Sequence, residues 1–234
     1  MQVFYSIHIE GSHALLLDQE HHHLSKVLRK KQGDVVALCN GKGTMWEAEV
    51  NSISKKETSL LLHKVINEQG KNPNNLILAV APTKNMDRYE WLVEKAVEIG
   101  IHSIQPFYSQ NSERRNLRID RLELIALSAM KQSKALFLPE IKVPLAFGDL
   151  IKSDYKNKYL AYVRETSNHW KDSLVNITKE EETIILIGPE GGFTEIEADK
   201  AKESAFQSVT LGEKRLRTET AAVFATVAYQ LFCK

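Results

Sequence analysis

Residues 186–197 read Leu-Ile-Gly-Pro-Glu-Gly-Gly-Phe-Thr-Glu-Ile-Glu. Residues 211–222 read Leu-Gly-Glu-Lys-Arg-Leu-Arg-Thr-Glu-Thr-Ala-Ala, and these two segments are the most informative part of the sequence. Each runs from an apolar strand through a glycine-bearing loop into the start of a helix. Thr194 and Glu197 have the Thr-x-x-Glu spacing of a capping box, so a helix should begin directly after the first loop. Because ligands of open α/β sheets bind where strands end, the two loops predict the walls of one ligand site.

Outside these loops the chain shows two patterns of hydrophobicity. Residues 1–70 carry short β-branched runs between turn signals, which predicts a small barrel-like β domain with one short helix. Residues 71–234 alternate apolar strands with helices, which predicts an α/β domain with a parallel sheet. The predicted strands are 3–9, 35–39, 44–53, 58–65, 76–81, 103–107, 158–163, 183–187 and 208–211, and the predicted helices are 20–28, 87–99, 117–132, 194–205 and 218–232.

The composition narrows the class of protein. The chain has 234 residues and a hydrophobic fraction of 43%, which is typical of a globular protein. Cys39 and Cys233 lie far apart and form no Cys-x-x-Cys motif, so we expect no disulfide framework, no metal site and a cytoplasmic protein. The N-terminus lacks the pattern of a signal peptide, and every apolar run is too short to span a membrane. We therefore expect no membrane partner.

Charge is unevenly distributed along the sequence. The net charge is only +1, but basic residues outnumber acidic ones between positions 114 and 134. A local basic patch can bind phosphate even when the whole chain is nearly neutral. A solvated helix face would give the same pattern, so charge alone leaves both interpretations open.

The chemistry of the two loops limits the ligand. The first loop has neither the Gly-Lys-Ser/Thr ending of a Walker loop nor a Gly-x-Gly-x-x-Gly pattern, which argues against a triphosphate or a dinucleotide. Its glycines still let a ligand approach the backbone closely, although a plain strand–helix turn is the alternative. Arg217 precedes the last predicted helix, where the helix dipole disfavours a cation. We therefore expect Thr218 to cap that helix and Arg217 to have a partner, which would be Glu219, another carboxylate or a ligand anion.

Residues 188–193, 211–212 and 216–221 together resemble the RsmE-type 16S ribosomal RNA uracil-N3 methyltransferases of the SPOUT class. The resemblance covers nearly the whole chain. It implies a C-terminal SPOUT methyltransferase domain with a deep trefoil knot (71–234) and a PUA-like N-terminal β-barrel that binds RNA (1–70). It further implies a homodimer, S-adenosylmethionine as cofactor and 16S rRNA, within the 30S subunit, as substrate.

The resemblance also assigns roles to individual residues. Arg217 would stabilise the negative charge that develops on the uracil, and Thr220 would hydrogen-bond the base. Glu219 would orient Arg217 or act as general base; the alternative is that it is merely a carboxylate favoured by the dipole at the helix start. The implied cofactor-binding residues are Ile187, Gly188, Gly191, Gly192, Leu211, Gly212, Leu216 and Arg217. The implied RNA-binding residues are His23, Arg29, Lys84, Arg114 and Arg115.

Two other functions are compatible with the sequence. Ribose 2′-O methylation is performed by SPOUT relatives, which carry Asn where this chain has Arg217-Thr218. Alternatively, the β domain and the basic patch could form a non-catalytic RNA-binding module with the α/β domain as scaffold. The run His21-His22-His23 could suggest a metal, but adjacent side chains on a helix point in different directions, so we expect no metal there.

Overall fold

The computed structural model describes residues 1–163 and 167–234. These residues form two compact units. One consists of Met1–Asn72 together with Met130–Leu138, and the other consists of Pro73–Ala129 together with Pro139–Lys234.

The first unit is a β domain built on a six-stranded sheet. The strand order is β1-β4-β5-β6-β3-β2, with β1 parallel to β4 and the other neighbours antiparallel. Its elements are β1 (Val3–Tyr5), β2 (Ile9–Glu10), β3 (His13–Leu17), α1 (Asp18–His22), a π-helical turn (His23–Val27), β4 (Val35–Cys39), β5 (Thr44–Ile53) and β6 (Glu57–Glu68).

Alternating apolar residues of these strands form the core of the first unit. Phe4, Leu16, Leu38 and Leu60 are fully buried there, and Leu24 of the π-helical turn packs with them. This burial is the main source of stability for such a sheet, since each large apolar side chain contributes about 1.5–3 kcal/mol.

The segment Met130–Leu138 completes the first unit from a distant part of the sequence. The backbone N–H of Gly43 donates to the carbonyl of Leu136 (3.0 Å), and that of Leu138 donates to the carbonyl of Gly41 (2.9 Å). Lys131 forms an ion pair with Glu20, and both side chains are largely buried. The segment therefore belongs structurally to the β domain.

The second unit is an α/β domain whose eight-stranded sheet is parallel throughout the described residues. The strand order is β10-β8-β7-β13-β11-β14-β12, with β9 paired to β8. Its elements are β7 (Leu76–Val80), α2 (Met86–Ile99), β8 (Ser103–Tyr108), α3 (Ile119–Ser133, ending in the first unit), β9 (Glu140–Ile141), β10 (Leu145–Ala146), α4 (Phe147–Leu150), β11 (Asn157–Ala161), β12 (Asn168–His169), α5 (Trp170–Leu174), β13 (Thr183–Ile187), α6 (Glu195–Glu203), β14 (Gln207–Thr210) and α7 (Thr218–Phe232).

The order of the central strands determines where the loops after β13 and β14 lie. β7 and β13 are buried along their whole length, as strands inside a parallel sheet are. β11 lies between β13 and β14 and is parallel to both. Because parallel strands end at the same edge of the sheet, the loops after β13 and β14 must meet around the end of β11.

Most predicted elements are confirmed, and the differences are informative. The expected strand at 3–9 is split into β1 and β2, β3 was not predicted, and β6 runs three residues further than expected. The capping box of Thr194 and Glu197 is present at α6. The expected Thr218 cap is wrong, because Arg217 occupies the N-cap position of α7 and Thr218 lies inside the helix. The trefoil knot stays a prediction.

Candidate active site

A cavity of about 580 Å³ lies where the loops after β13 and β14 meet the start of α7. Its walls include Ala161 at the end of β11 and the next two residues, 162 and 163. The volume falls in the range of about 300–1,000 Å³ that is usual for small-molecule sites. All the residues around it belong to the α/β domain.

The cavity brings together the predicted cofactor residues with one exception. Its walls contain Ile187, Gly188, Gly192, Leu211, Gly212, Leu216 and Arg217. Gly191 was also expected there, but it does not line the cavity. It faces the loop after β8 instead, where the Asn111 side-chain amide donates to the carbonyls of Gly191 (3.2 Å) and Gly192 (3.1 Å).

Close packing against Asn111 favours glycine at position 191. A Cβ atom at this position would lie 3.0 Å from Cβ of Asn111, tighter than nearly all real contacts. Gly191 therefore packs against the loop after β8, whereas Gly188 and Gly192 of the same loop line the cavity.

Three further hydrogen bonds fix the loop after β13. The Glu190 side chain accepts from the backbone N–H of Lys84 (2.9 Å), and the Glu190 carbonyl accepts from the Arg215 guanidinium (3.2 Å). The Thr218 hydroxyl donates to the carbonyl of Gly188 (3.0 Å). Thr218 thus connects the first turn of α7 to the loop after β13, which is a different role from the helix cap that the sequence predicts.

Glu197 anchors the same loop at its helical end. Its carboxylate accepts from the N–H (3.0 Å) and the hydroxyl (3.2 Å) of Thr194 in the capping box. Its other oxygen accepts from the backbone N–H of Gln110 (2.8 Å) in the loop after β8. Glu197 is buried, so one carboxylate organises the start of α6 and holds a neighbouring loop against it.

The three expected catalytic residues occupy different environments. Arg217 lines the cavity and is exposed, and its guanidinium makes no hydrogen bond or ion pair with any described residue. Glu219 is only 8% exposed, and its Oε1 atom lies 3.8 Å from Nε of Arg88. The expected pairing of Glu219 with Arg217 is therefore corrected, because Arg88 is the cation beside this carboxylate. Thr220 is exposed and lies outside the cavity lining.

Arg88 is a cavity residue that the sequence analysis missed. It stands in the first turn of α2, where the helix dipole disfavours a cation. Arg217 also stands at the start of a helix, so a cation at such a position was a signal for Arg88 in the sequence as well. The other cations of the cavity wall are Lys214 and Arg215, which come from the loop after β14.

The expected RNA-binding residues of the α/β domain form one exposed group. Lys84 Nζ lies 2.9 Å from a Glu113 oxygen, and the Arg114 guanidinium donates to the carbonyl of Lys84 (3.3 Å). The hydrogen bond to Glu113 raises the pKa of Lys84, so its amine stays charged. Arg115 is exposed beside them.

The two expected RNA-binding residues of the β domain differ in exposure. His23 is half-buried, with its ring 6.0 Å from that of Phe4. Arg29 is exposed and has a positive φ of 52°. In the same segment His21 is buried against the Thr58 hydroxyl (2.8 Å) while His22 is exposed, so these neighbours do point apart.

The part of the chain that the structure describes offers neither a cluster of metal ligands nor a helix that could span a membrane. The described residues contain no group of three or more His, Cys, Asp or Glu side chains placed to hold a metal ion. Of the helices in residues 1–163 and 167–234, none combines the length and apolarity needed to cross a bilayer.

Comparisons with known proteins agree with this architecture. Residues 70–230 match the family model of an RNA methyltransferase domain, and residues 16–60 match that of an RNA methyltransferase PUA domain. The chain is 37% identical to ribosomal RNA small subunit methyltransferase E of Mesomycoplasma hyopneumoniae, over 68% of this chain and 69% of that protein. It is 30% identical to the protein of the same name from Bacillus subtilis, over 91% of this chain and 88% of the relative.

A solved structure shares the whole fold. The ribosomal RNA small subunit methyltransferase E of Neisseria gonorrhoeae, solved bound to S-adenosyl methionine, superposes with a TM-score of 0.85 and 28% identity. The match covers 100% of this chain and 98% of that one. The family models, the relatives and the shared fold agree with the resemblance in the two loop motifs, and the chain belongs to the ribosomal RNA small subunit methyltransferase E family of RNA methyltransferases.

Proposed function

We propose that this protein transfers a methyl group from S-adenosylmethionine to N3 of a uridine in 16S rRNA. One observation carries the proposal: the two glycine loops of a chain from this family form a single cavity with a free guanidinium, that of Arg217, in its wall. Family membership favours this function over ribose methylation and over a non-catalytic RNA-binding module.

The cavity is suited to S-adenosylmethionine. Gly188, Gly192 and Gly212 line the cavity without side chains, so an adenosine can approach the backbone closely, and Gly212 has a φ of 140° that other residues rarely adopt. Neither loop has the cradle of a phosphate site, so a nucleoside with a sulfonium side chain suits them better than a nucleotide. When bound, the cofactor would supply the electrophilic methyl group.

Methylation of uracil N3 requires an exposed base that has lost the N3 proton. Extruding a paired base costs a few kcal/mol, and less if it is already unstacked. As the proton leaves, negative charge spreads over N3 and the two carbonyl oxygens of the base, and a fixed cation stabilises that charge. The role of Arg217 is supported by its position in the cavity wall and by the lack of a hydrogen-bond or ion-pair partner among the described residues. Thr220, exposed in the first turn of α7, is the proposed hydrogen-bond partner of the base.

Glu219 has two proposed roles, of which orienting is better supported than acting as general base. It is buried, stands outside the cavity lining and lies beside Arg88. A base must reach the proton it removes. The group that Glu219 orients is accordingly Arg88.

The test is Arg217→Ala assayed on 30S subunits from a strain that lacks this methylation. We expect the rate to fall about 10²–10³-fold, the effect of removing one charge-stabilising group. Arg217→Lys, which keeps a charge, should retain more activity. Mass spectrometry of the nucleosides identifies the product. A ribose-methylated nucleotide, or wild-type turnover by Arg217→Ala, would contradict the proposal.

RNA binding is proposed for both units. In the α/β domain Lys84, Arg114 and Arg115 would contact phosphates, and in the β domain His23 and Arg29 would do so. Replacing Lys84 by Ala should weaken binding uniformly across RNA sequences and reduce the salt slope of log K by about 1. An unchanged slope would assign Lys84 to the Glu113 ion pair alone.

A homodimer is the proposed assembly, acting on the 30S subunit in the cytoplasm. α7 carries an apolar stripe at helical spacing, with Phe224, Val227 and Leu231 exposed by 47%, 37% and 71%. Trp91 of α2, a helix that packs on α7, is also exposed. Apolar surface of this kind is typical of a protein interface. Light scattering should give twice the 26.6 kDa chain mass, and Leu231→Asp should shift it toward the monomer.

A further inference from the structure

We propose that Arg88 binds the carboxylate of the amino-acid part of S-adenosylmethionine, and that Glu219 positions Arg88 for this task. The inference rests on the proposed function, since it names a residue for the same cavity. The sequence predicted a role in binding the cofactor carboxylate for neither Arg88 nor Glu219.

The first observation is the unusual position of both charges. Arg88 stands in the first turn of α2 and lines the cavity, with its side chain 40% exposed. The Glu219 side chain is only 10% exposed, and its Oε2 atom is buried without a hydrogen-bond partner among the described residues. A buried carboxylate is costly unless a cation lies beside it. Arg88 is that cation.

The second observation is that the guanidinium fork of Arg88 is free. Its Nε atom is 3.8 Å from Oε1 of Glu219, which is an ion pair but longer than a hydrogen bond. The side chain donates no hydrogen bond to any residue in the described part of the chain. A guanidinium carries five N–H donors in a planar fork, which matches the two oxygens of a carboxylate. Arg88 therefore presents a vacant carboxylate-binding group in the cavity wall.

The charge of the neighbour distinguishes the cofactor from RNA. Glu219 sits directly beside the guanidinium, so a phosphate bound by Arg88 would be repelled by this carboxylate. An α-amino acid group has one negative and one positive charge, and its net neutrality suits a site that contains both Arg88 and Glu219. The other cations of the wall, Lys214, Arg215 and Arg217, come from the loop after β14 and are exposed, which makes them better partners for RNA.

Calorimetric titration with two ligands tests the proposal. Decarboxylated S-adenosylmethionine has the same nucleoside, sulfonium and amine but lacks the carboxylate. For Arg88→Ala we expect the affinity for S-adenosylmethionine to fall about tenfold to a hundredfold, the range of a charge-assisted hydrogen-bonded pair. The affinity for the decarboxylated compound should stay the same or rise. Arg88→Lys, which keeps the charge but not the fork, should show a smaller loss with the same selectivity.

Glu219→Gln tests the positioning role. It keeps the shape of the side chain but removes the charge that holds Arg88, so we expect a selective loss for S-adenosylmethionine that is smaller than that of Arg88→Ala. Arg118→Ala is the matched control, because Arg118 is exposed, pairs with Asp120 (2.8 Å) and does not line the cavity. It should bind both ligands as the wild type does.

Several results would overturn the inference. An equal loss of both ligands in Arg88→Ala and Arg88→Lys would assign Arg88 to the stability of the cavity. Unchanged affinity for S-adenosylmethionine, with or without weaker RNA binding, would remove the carboxylate contact. If the wild-type protein bound neither ligand, the proposed function itself would fail, which is a distinguishable outcome.

Discussion

Glu197→Ala should destabilise the protein more than any other change in the first turn of α6. The carboxylate accepts hydrogen bonds from Thr194 N–H, the Thr194 hydroxyl and Gln110 N–H, at 3.0, 3.2 and 2.8 Å. In the alanine variant the N–H groups of Thr194 and Gln110 lose their acceptor. The Thr194 hydroxyl still caps the helix by accepting from the N–H of residue 197. The loss is therefore half of the capping box plus one connection between loops.

The magnitude follows from these bonds. Each hydrogen bond to a charged group contributes about 1.5–3 kcal/mol, and the lower end applies because the partners of Glu197, unlike its own carboxylate, are only partly buried. Losing the two backbone bonds should lower the free energy of unfolding by about 3 kcal/mol. Glu197→Gln should cost less, because its single oxygen can satisfy one of the two N–H groups. Since Gln110 adjoins Asn111, which holds the Gly191 and Gly192 carbonyls, affinity for S-adenosylmethionine should also fall.

Equilibrium unfolding in urea, followed by circular dichroism, measures this difference. Glu195→Ala is the control, because Glu195 is exposed in the same helical turn and should contribute only about 0.3–1 kcal/mol through the helix dipole. If Glu197→Ala unfolded within about 0.5 kcal/mol of Glu195→Ala, the loop connection through Gln110 would carry no energy and the reasoning would be refuted.

Two further predictions concern backbone strain and pH. Gly43 has a φ of 110°, and an added Cβ would overlap the Gln69 carbonyl. Gly33→Ala is the control, because φ there is 89° and the surroundings are open, so only backbone strain of roughly 1 kcal/mol is expected. Gly43→Ala should lower the free energy of unfolding in urea by more than this, and equal losses in the two variants would contradict the overlap. Burial raises the pKa of Tyr89, so the folded protein keeps this proton while the unfolded chain loses it above about pH 10. The contribution of protonated Tyr89 to the free energy of unfolding is therefore complete below that pH and is lost as pH rises. The free energy of unfolding should decline less steeply between pH 9 and 11 in Tyr89→Phe than in the wild type. Identical slopes would show that Tyr89 ionises freely in the folded protein.

Local pattern predicted the elements whose environment is uniform. β4, β5, β13 and α7 have the expected bounds, because each has a continuous apolar run or a sustained periodicity between clear turn signals. The strand at His13–Leu17 was missed because three consecutive leucines show no alternation and lack β-branched residues. Only pairing with β6 makes this segment a strand, and such pairing cannot be read from a short window.

The part of the candidate site that is formed by the backbone of the two glycine loops was predictable from the sequence. Glycines that line a cavity leave a mark in the sequence, and the two loops come together because parallel strands end at one edge of the sheet. The sequence pattern does not show which residues two distant segments bring into contact through their side chains. Glu219 lies beside Arg88 rather than Arg217, and Gly191 faces Asn111 rather than the cavity, because contacts between distant segments decide both.

The place of Met130–Leu138 has a consequence for biosynthesis. The turn at residues 41–43 of the β domain cannot form its hydrogen bonds with Leu136 and Leu138 until this late segment has left the ribosome. At about 5–20 residues per second, residues 73–138 take several seconds to translate. During that interval Gly41 and Gly43 lack these hydrogen-bond partners, and Glu20 lacks its ion pair with Lys131. Truncation after residue 72 would make the interval permanent, so a fragment cut there should be prone to aggregate.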